Sequence, residues 1–324
     1  MSEFELIDRI ISEVNRVKPG DWPSLLSGIG DDTALIKFKG KYQLATVDCL
    51  VEDVHFKKEF LDWTSLGWKA LAVNLSDIAA MGGKPKYALV SLALPSDVDT
   101  DNVVKLYRGM LELARESGTV IAGGNISRAA QLGVHVTVIG EAESKSKTLL
   151  RSKAKKGDLI AVTGRLGGAA AGLQALQGAF RPGKFDTDEL TRAFWRPQPR
   201  LDVGQLLVKH GVKCAIDISD GLLADLGHIL KASKVGAKVE VARIPVHPSA
   251  ASSSEVDALE AALNGGEDYE LLFTGKREII EKVAADACCP VTVIGEIVRG
   301  TGKIELLDTL GCPLSVDPAG WRHF

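Results

Sequence analysis

Residues 214–233 read CAIDISDGLLADLGHILKAS, and this stretch carries the plan of the whole chain. Cys214–Ile218 is a short apolar run of strand type, broken by a Ser-Asp-Gly turn signal. Leu222–Ser233 then repeats its apolar residues with helical period. Two acids, Asp217 and Asp220, stand at the junction between strand and helix. Outward from there the alternation continues. A strand is predicted over Asp158–Thr163 and a small-residue helix over Gly168–Gln177, with further strands near Lys238–Val241, Tyr269–Phe273 and Val291–Ile297. Pro182-Gly183 and Pro197-Gln198-Pro199 punctuate the loops that follow the small-residue helix.

The first half has the same texture. Ser2 and Glu5 form a capping box for a helix carrying Phe4, Ile7, Ile10, Ile11 and Val14, which ends before Pro19-Gly20. Strands follow around Thr33–Phe38 and Tyr42–Val47. Thr64 reads as the cap of a long helix carrying Trp68, Leu71, Leu75 and Ile78, closed by Gly82-Gly83. A strand over Tyr87–Leu94 stops at Pro95, a helix over Asn102–Ser117 stops at Gly118, and strands around Thr119–Ala122 and Val134–Gly140 close the half. Alternation of this kind predicts an α/β fold (α+β layers), not a bundle or a sandwich. At 324 residues the chain suits two domains. The charged, apolar-poor stretch 143–157 marks the boundary, giving domains 1–150 and 151–324. The hexapeptide VTVIGE occurs at Val136–Glu141 and again at Val291–Glu296; chance similarity of two β-rich segments is the preferred reading, old duplication the other.

Composition removes several function classes. Thirty-nine Lys and Arg against 42 Asp and Glu leave a net charge of −3, too little positive charge to cover nucleic acid or an anionic membrane. No apolar run approaches the ~18 residues of a membrane helix, and the N-terminus lacks a secretion signal. The expected location is the cytoplasm. Five cysteines without a C-x-x-C pair read as reduced thiols.

The acids gather beside glycines and at strand ends: Asp31-Asp32 in GIGDD, Asp48 after Thr46-Val47, Asp77 in NLSD, Asp217 and Asp220 in DISDG, and Glu267-Asp268 after Gly265-Gly266. Asn74 and Asp77, three apart, share one helix face. Clustered like charges are costly unless a cation balances them, and Mg²⁺ takes carboxylates, hydroxyls and phosphate oxygens. A multi-metal phosphate site is the expectation. Neither the P-loop motif nor G-x-G-x-x-G at a helix start is present, so a nucleotide enzyme would need another architecture.

The segments GIGDDTA (28–34), VEDVHF (51–56), AVNLSD (72–77), GGNIS (123–127), DISDG (217–221), GGEDYEL (265–271) and WRHF (321–324) resemble thiamine-monophosphate kinases, in that family's order and across nearly the whole chain. The resemblance implies a two-domain fold of the aminoimidazole-ribonucleotide synthetase type and a homodimer joined through the N-terminal strands. It implies ATP and thiamine monophosphate as substrates and several Mg²⁺ ions held by Asp32, Thr46, Val47 (main chain), Asp48, Asp77, Asp217 and Asp220, with Asn125 at a further metal position. ATP contacts are implied for Tyr107, Gly124, Arg151 and Ser219, and thiamine phosphate contacts for His55, Glu267 and Trp321. For Tyr107, His55 and Trp321 a plain packing role is the competing reading. Three departures stand out: Val47 where many members have Thr, Asn125 where many have Asp, and Asp53 where Gly is usual.

The implied reaction brings two polyanions together. Each unit-charge pair ~4 Å apart repels by roughly 4 kcal/mol at an effective dielectric of about 20, so metal ions are the natural remedy. Rival readings are another ATP-dependent enzyme of the superfamily, of selenophosphate or hydrogenase-maturation type, and a catalytically silent nucleotide-sensing dimer.

Overall fold

The computed structural model describes residues 24–180, 183–252, 256–300 and 302–314, with Ile7 and Ser12. Of the helix expected before Pro19 only Ile7 and Ser12 are described, both helical, and the expected site residue Trp321 lies outside the described residues. Strand β1 (Leu25–Ser27), β2 (Ala34–Phe38), β3 (Lys41–Val51), β4 (Lys84–Leu94), β5 (Val120–Arg128) and β6 (Gly133–Ala142) form the first sheet, in the order β1-β2-β3-β6-β4-β5. Neighbours are antiparallel except β4 and β5, which run parallel and are joined through helix α2 (Thr100–Ser117). Parallel strands require such a crossover. Along β3 the side chains alternate, so Leu44 and Leu50 are buried while Val47 faces out.

The second sheet holds β7 (Leu159–Thr163), β8 (Cys214–Asp217), β9 (Gly236–Glu240), β10 (Leu271–Gly275), β11 (Val291–Val298), β12 (Ile304–Leu307) and β13 (Pro313–Leu314), in the order β13-β12-β9-β11-β7-β10-β8. Only β9 and β12 run parallel. Its core is built from Ile160, Val162, Ile216, Leu226, Ile229, Leu272 and Ile294. The two VTVIGE copies fall in β6 and β11, each an inner strand of its own sheet.

Helix α1 (Trp63–Ala80) connects the two halves. It is apolar nearly all round, as a helix buried on every side must be. It packs on β3 and β6 of the first sheet, on α2, on β8 and on α5 (Leu201–Lys209). Its cap is Asp62, not Thr64: the Asp62 carboxylate accepts the backbone N–H groups of Thr64 at 3.2 Å and Ser65 at 3.1 Å. The helices α3 (Gly168–Leu176), α6 (Leu222–Ser233) and α2 with its Gly118 stop follow the sequence reading closely. The segments around Pro197 are more ordered than expected, forming α4 (Lys184–Trp195) and α5 on either side of the prolines. Their buried residues, Leu190, Phe194 and Trp195, then Val203 and Leu207, find partners only in the folded chain. Strand β5 likewise runs on through Gly123-Gly124 to Arg128, past the end expected near Ala122.

Helices α1 and α2 touch backbone to backbone. A Cβ added at Gly67 would lie 1.8 Å from the Leu106 carbonyl oxygen, and one at Gly109 would lie 1.7 Å from that of Thr64. Both glycines are therefore fixed by the crossing. Gly109→Ala gains up to about 1 kcal/mol of helix propensity but forces the helices apart, a strain of about 1–3 kcal/mol. The expected result is a lower urea midpoint; an unchanged or higher one would show that the crossing yields freely.

Candidate functional site

Three acids from three elements meet beside α1. Asp32 comes from the loop before β2, Asp77 from the last turns of α1, and Asp217 from the end of β8. Carboxylate oxygens of the three lie within 4.8 Å of one another. Around them the chain spends several hydroxyl and amide groups. Thr46 Oγ1, on the inward face of β3, donates to Asp77, and Ser76 Oγ donates to Asp217 at 2.7 Å. Asn74 Oδ1 accepts the Asp48 N–H at 3.1 Å, which ties β3 to α1. Arg151 lies against Asp32 at 2.6 Å, and its own backbone N–H is accepted by Asp31 at 3.0 Å. Asp31 is thus a structural acid, held also by Ser27 Oγ at 2.7 Å.

One arginine does not balance this cluster. Burial, together with the charge of Asp32, pushes Asp217 up to about 8. Burial and the charges of Asp220 and Asp32 push Asp48 up to about 6 against its hydrogen bond to Asp77. Burial and the neighbouring acids Asp48, Asp217 and Asp32 hold Asp77 well above the carboxylate range. Oxygen-only donors that converge with more negative charge than one arginine balances fit a hard divalent cation such as Mg²⁺. Val47 turns its side chain to the opposite face, 64% exposed, so only its main chain is available to such an ion.

The turn after β8 is built by a residue that spacing alone does not reveal. Asp225, in the first turn of α6, is buried and accepts the N–H groups of Ser219 (3.0 Å), Asp220 (3.1 Å) and Gly221 (3.2 Å). This fixes where Asp220 and Ser219 stand. The 265–270 loop then locks onto the same turn: Glu267 N–H donates to the Ser219 carbonyl and Tyr269 N–H to that of Ile218, both at 2.8 Å. Glu267 and Tyr269 adopt left-handed backbone, at φ +68° and +49°. Asp268 turns away to accept N–H groups of Gly167 (2.7 Å) and Ala169 (3.3 Å) at the start of α3, while Glu270 pairs with Arg200 at 2.5 Å. Of the Glu-Asp pair singled out in the sequence, only Glu267 reaches the site.

A cavity of about 570 Å³ opens beside the cluster. Asp48, Asp77, Asp217 and Asp220 line it, together with His55 and Glu267. His55 Nδ1 accepts the Val51 N–H at 3.1 Å, which leaves the hydrogen of a neutral ring on Nε2. Asp53, standing where Gly was expected, has φ +65°, which explains the family's preference there and why Asp, tolerant of this conformation, can replace it. Tyr107, Gly124 and Asn125 are not among the residues lining the cavity. Tyr107 packs at the edge of the first core. Gly124 is required by strand packing, since a Cβ there would lie 1.8 Å from the Val90 carbonyl oxygen. Asn125 sits exposed on β5, in register with Ser91 of β4 and separated from β3 by two strands, and donates to Ser127 Oγ at 3.0 Å.

The chain matches known proteins over its whole length. Residues 30–142 match the AIR synthase related protein N-terminal domain and residues 155–307 its C-terminal domain. It is 39% identical to the thiamine-monophosphate kinase of Bacillus subtilis, across 100% of both chains. It is 38% identical to that of Escherichia coli K12, across 99% of this chain and 98% of the other. A solved structure of AaThiL complexed with AMPPCP and TMP superposes with a TM-score of 0.87 at 33% identity, covering 100% of this chain and 97% of that one. The E. coli hydrogenase maturation protein HypE superposes with a TM-score of 0.70 at 19% identity, a likeness of fold alone.

Because Asp48, Asp77 and Asp217 are raised in the folded state, the fold binds more protons than the unfolded chain from about pH 4 upward. In chelator, stability therefore falls as pH rises from the usual carboxylate range to about 8. Melting temperature in EDTA is expected to be higher at pH 6 than at pH 8.5, and Asp217→Asn should flatten that slope. A slope of opposite sign would mean that the cluster is balanced by the protein itself.

Proposed function

Since the chain belongs to the AIR synthase related family and, within it, to the thiamine-monophosphate kinases, we propose that its cavity transfers the γ-phosphoryl group of ATP to thiamine monophosphate, giving ADP and thiamine diphosphate. The observation that carries the reading is the convergence of Asp32, Asp77 and Asp217, two of which line the cavity. Asp32, Asp48, Asp77, Asp217 and Asp220, with Thr46 and the Val47 main chain, are the residues that would hold Mg²⁺. Bound there, Mg²⁺ supplies charge neutralisation and alignment for two phosphate chains.

The remaining work falls to side chains of moderate chemistry. Arg151 pairs with Asp32 and orients it, and the Asp225 carboxylate holds the Ser219–Gly221 turn against the nucleotide side. His55, with its hydrogen on Nε2, is placed to donate to an acceptor phosphate oxygen. Glu267 supplies a carboxylate for the thiazolium cation. No protein base is required, because the second pKa of a phosphate monoester is near ~6 and its oxygen is already ionised at neutral pH. The nucleotide roles of Tyr107 and Gly124, the metal role of Asn125 and the acceptor contact of Trp321 rest on the family pattern.

Among the described residues, helices cover one face of the first sheet. The other leaves Val47 (64% exposed), Tyr87 (52%) and Leu89 (42%) in the open, and we assign that face to a homodimer contact. No described helix is long and apolar enough to cross a membrane, and the cytoplasm, with its ATP and Mg²⁺, is the proposed compartment.

Incubation of the purified protein with ATP, Mg²⁺ and thiamine monophosphate should yield thiamine diphosphate by chromatography. Asp48→Ala and Asp77→Ala should each lower turnover by at least about 100-fold at saturating Mg²⁺. Near-normal turnover in either variant would remove the shared-metal reading. In light scattering, Leu89→Asp should shift the protein toward a monomer; a wild-type monomer at micromolar concentration would sink the dimer assignment.

A further inference from the structure

Lys69, in the middle of α1, is 1% exposed, yet it keeps a full-length ammonium in the interior. A methionine would fill nearly the same space with no charge to desolvate, so packing does not account for lysine here. Its Nζ donates to Glu267 Oε2 at 2.7 Å, across 198 residues of sequence. On another side it lies 3.5 Å from the centre of the Phe194 ring, with Trp195 at 5.7 Å. The two rings meet edge to face, at 5.0 Å and 73°, and wall the ammonium in.

The partner is constrained as tightly. Glu267 sits in left-handed backbone and its N–H is tied to the Ser219 carbonyl, so the loop path is set and only the carboxylate remains to be aimed. Oε2 is taken by Lys69. Among the described residues Oε1 has no hydrogen-bond partner, and Glu267 lines the cavity. Lys69, Val73 and Asp77 follow one another at four-residue spacing, a single stripe of α1. Eight residues separate its ends, about 12 Å along the axis. One end of the stripe belongs to the phosphate cluster, the other to Glu267.

We propose that Lys69 is a positioning residue for the acceptor: it fixes Oε2 of Glu267 and so presents Oε1 to the cationic thiamine end while Asp77 addresses the phosphate end. The inference rests on the kinase reading above and adds a residue to it. It also makes acceptor recognition depend on the seating of the two domains, since the cation comes from one and the carboxylate from the other.

Lys69→Met, Glu267→Gln and the double variant test it through both Michaelis constants and through calorimetric binding of thiamine monophosphate. Lys69→Met should raise KM for thiamine monophosphate about 10- to 100-fold, the worth of a hydrogen bond to a charged group, and move KM for ATP less than about twofold. The double variant should lose no more than Glu267→Gln alone, because Lys69 acts through that carboxylate. Lys69→Arg, which keeps the charge, should recover part of the loss. Equal rises in both KM values, or losses that multiply in the double variant, would overturn the proposal. If Lys69→Met does not fold, the double variant, free of an unpaired buried charge, still decides on the comparison with Glu267→Gln. A wild-type protein that binds no thiamine monophosphate would refute the kinase reading itself, whereas normal wild-type turnover with unselective variants would refute only the role of Lys69.

Discussion

Buried carboxylates within 4.8 Å of one another are the constraint to which the rest of this structure answers. Asp32, Asp77 and Asp217 repel, and burial removes the water that would screen them. The chain answers with short hydroxyl donors, Thr46 on Asp77 and Ser76 on Asp217, and with one guanidinium on Asp32. The hydroxyls orient the oxygens without neutralising them, and the single guanidinium offsets only one of the three charges. The imbalance is what makes the cavity suited to cations and, through them, to phosphate chains.

Holding such a cluster requires rigid supports that meet at one place. Helix α1 provides the common wall. It carries Asn74, Ser76 and Asp77 toward the acids, Lys69 toward Glu267, and its apolar faces to both sheets. Close approach to α2 through Gly67 and Gly109, and to α5 through Gly204, whose Cβ would lie 2.3 Å from the Ala79 carbonyl oxygen, leaves α1 little freedom to slide. The Asp225 carboxylate does similar work on a smaller scale. By gathering three N–H groups it keeps the turn after β8 in one shape, and the 265–270 loop is then hydrogen-bonded to that turn. Site geometry here is set by backbone supports more than by the site residues themselves.

The linear sequence alone determined the alternating elements, the acidic residues that would need a counter-ion, and, through seven ordered segments, the family. Period and turn chemistry are local properties, so β2, β8, α2 and α6 were legible within a few residues. What it missed depends on distance in space. Helices α4 and α5 are marginal by local pattern and gain their order by burying Phe194, Trp195 and Val203. Asp225 and Lys69 carry no motif, and the role of Ser76 within AVNLSD was not legible, because their partners lie in other segments or are backbone groups. Asp268 looked like a site acid and proved to cap α3, since left-handed backbone on either side sends its side chain away from Glu267. Only the tertiary structure decided which carboxylates form one cluster, because residues 32, 77 and 217 become neighbours through sheet register and helix crossing, and neither is written in any one stretch of the chain.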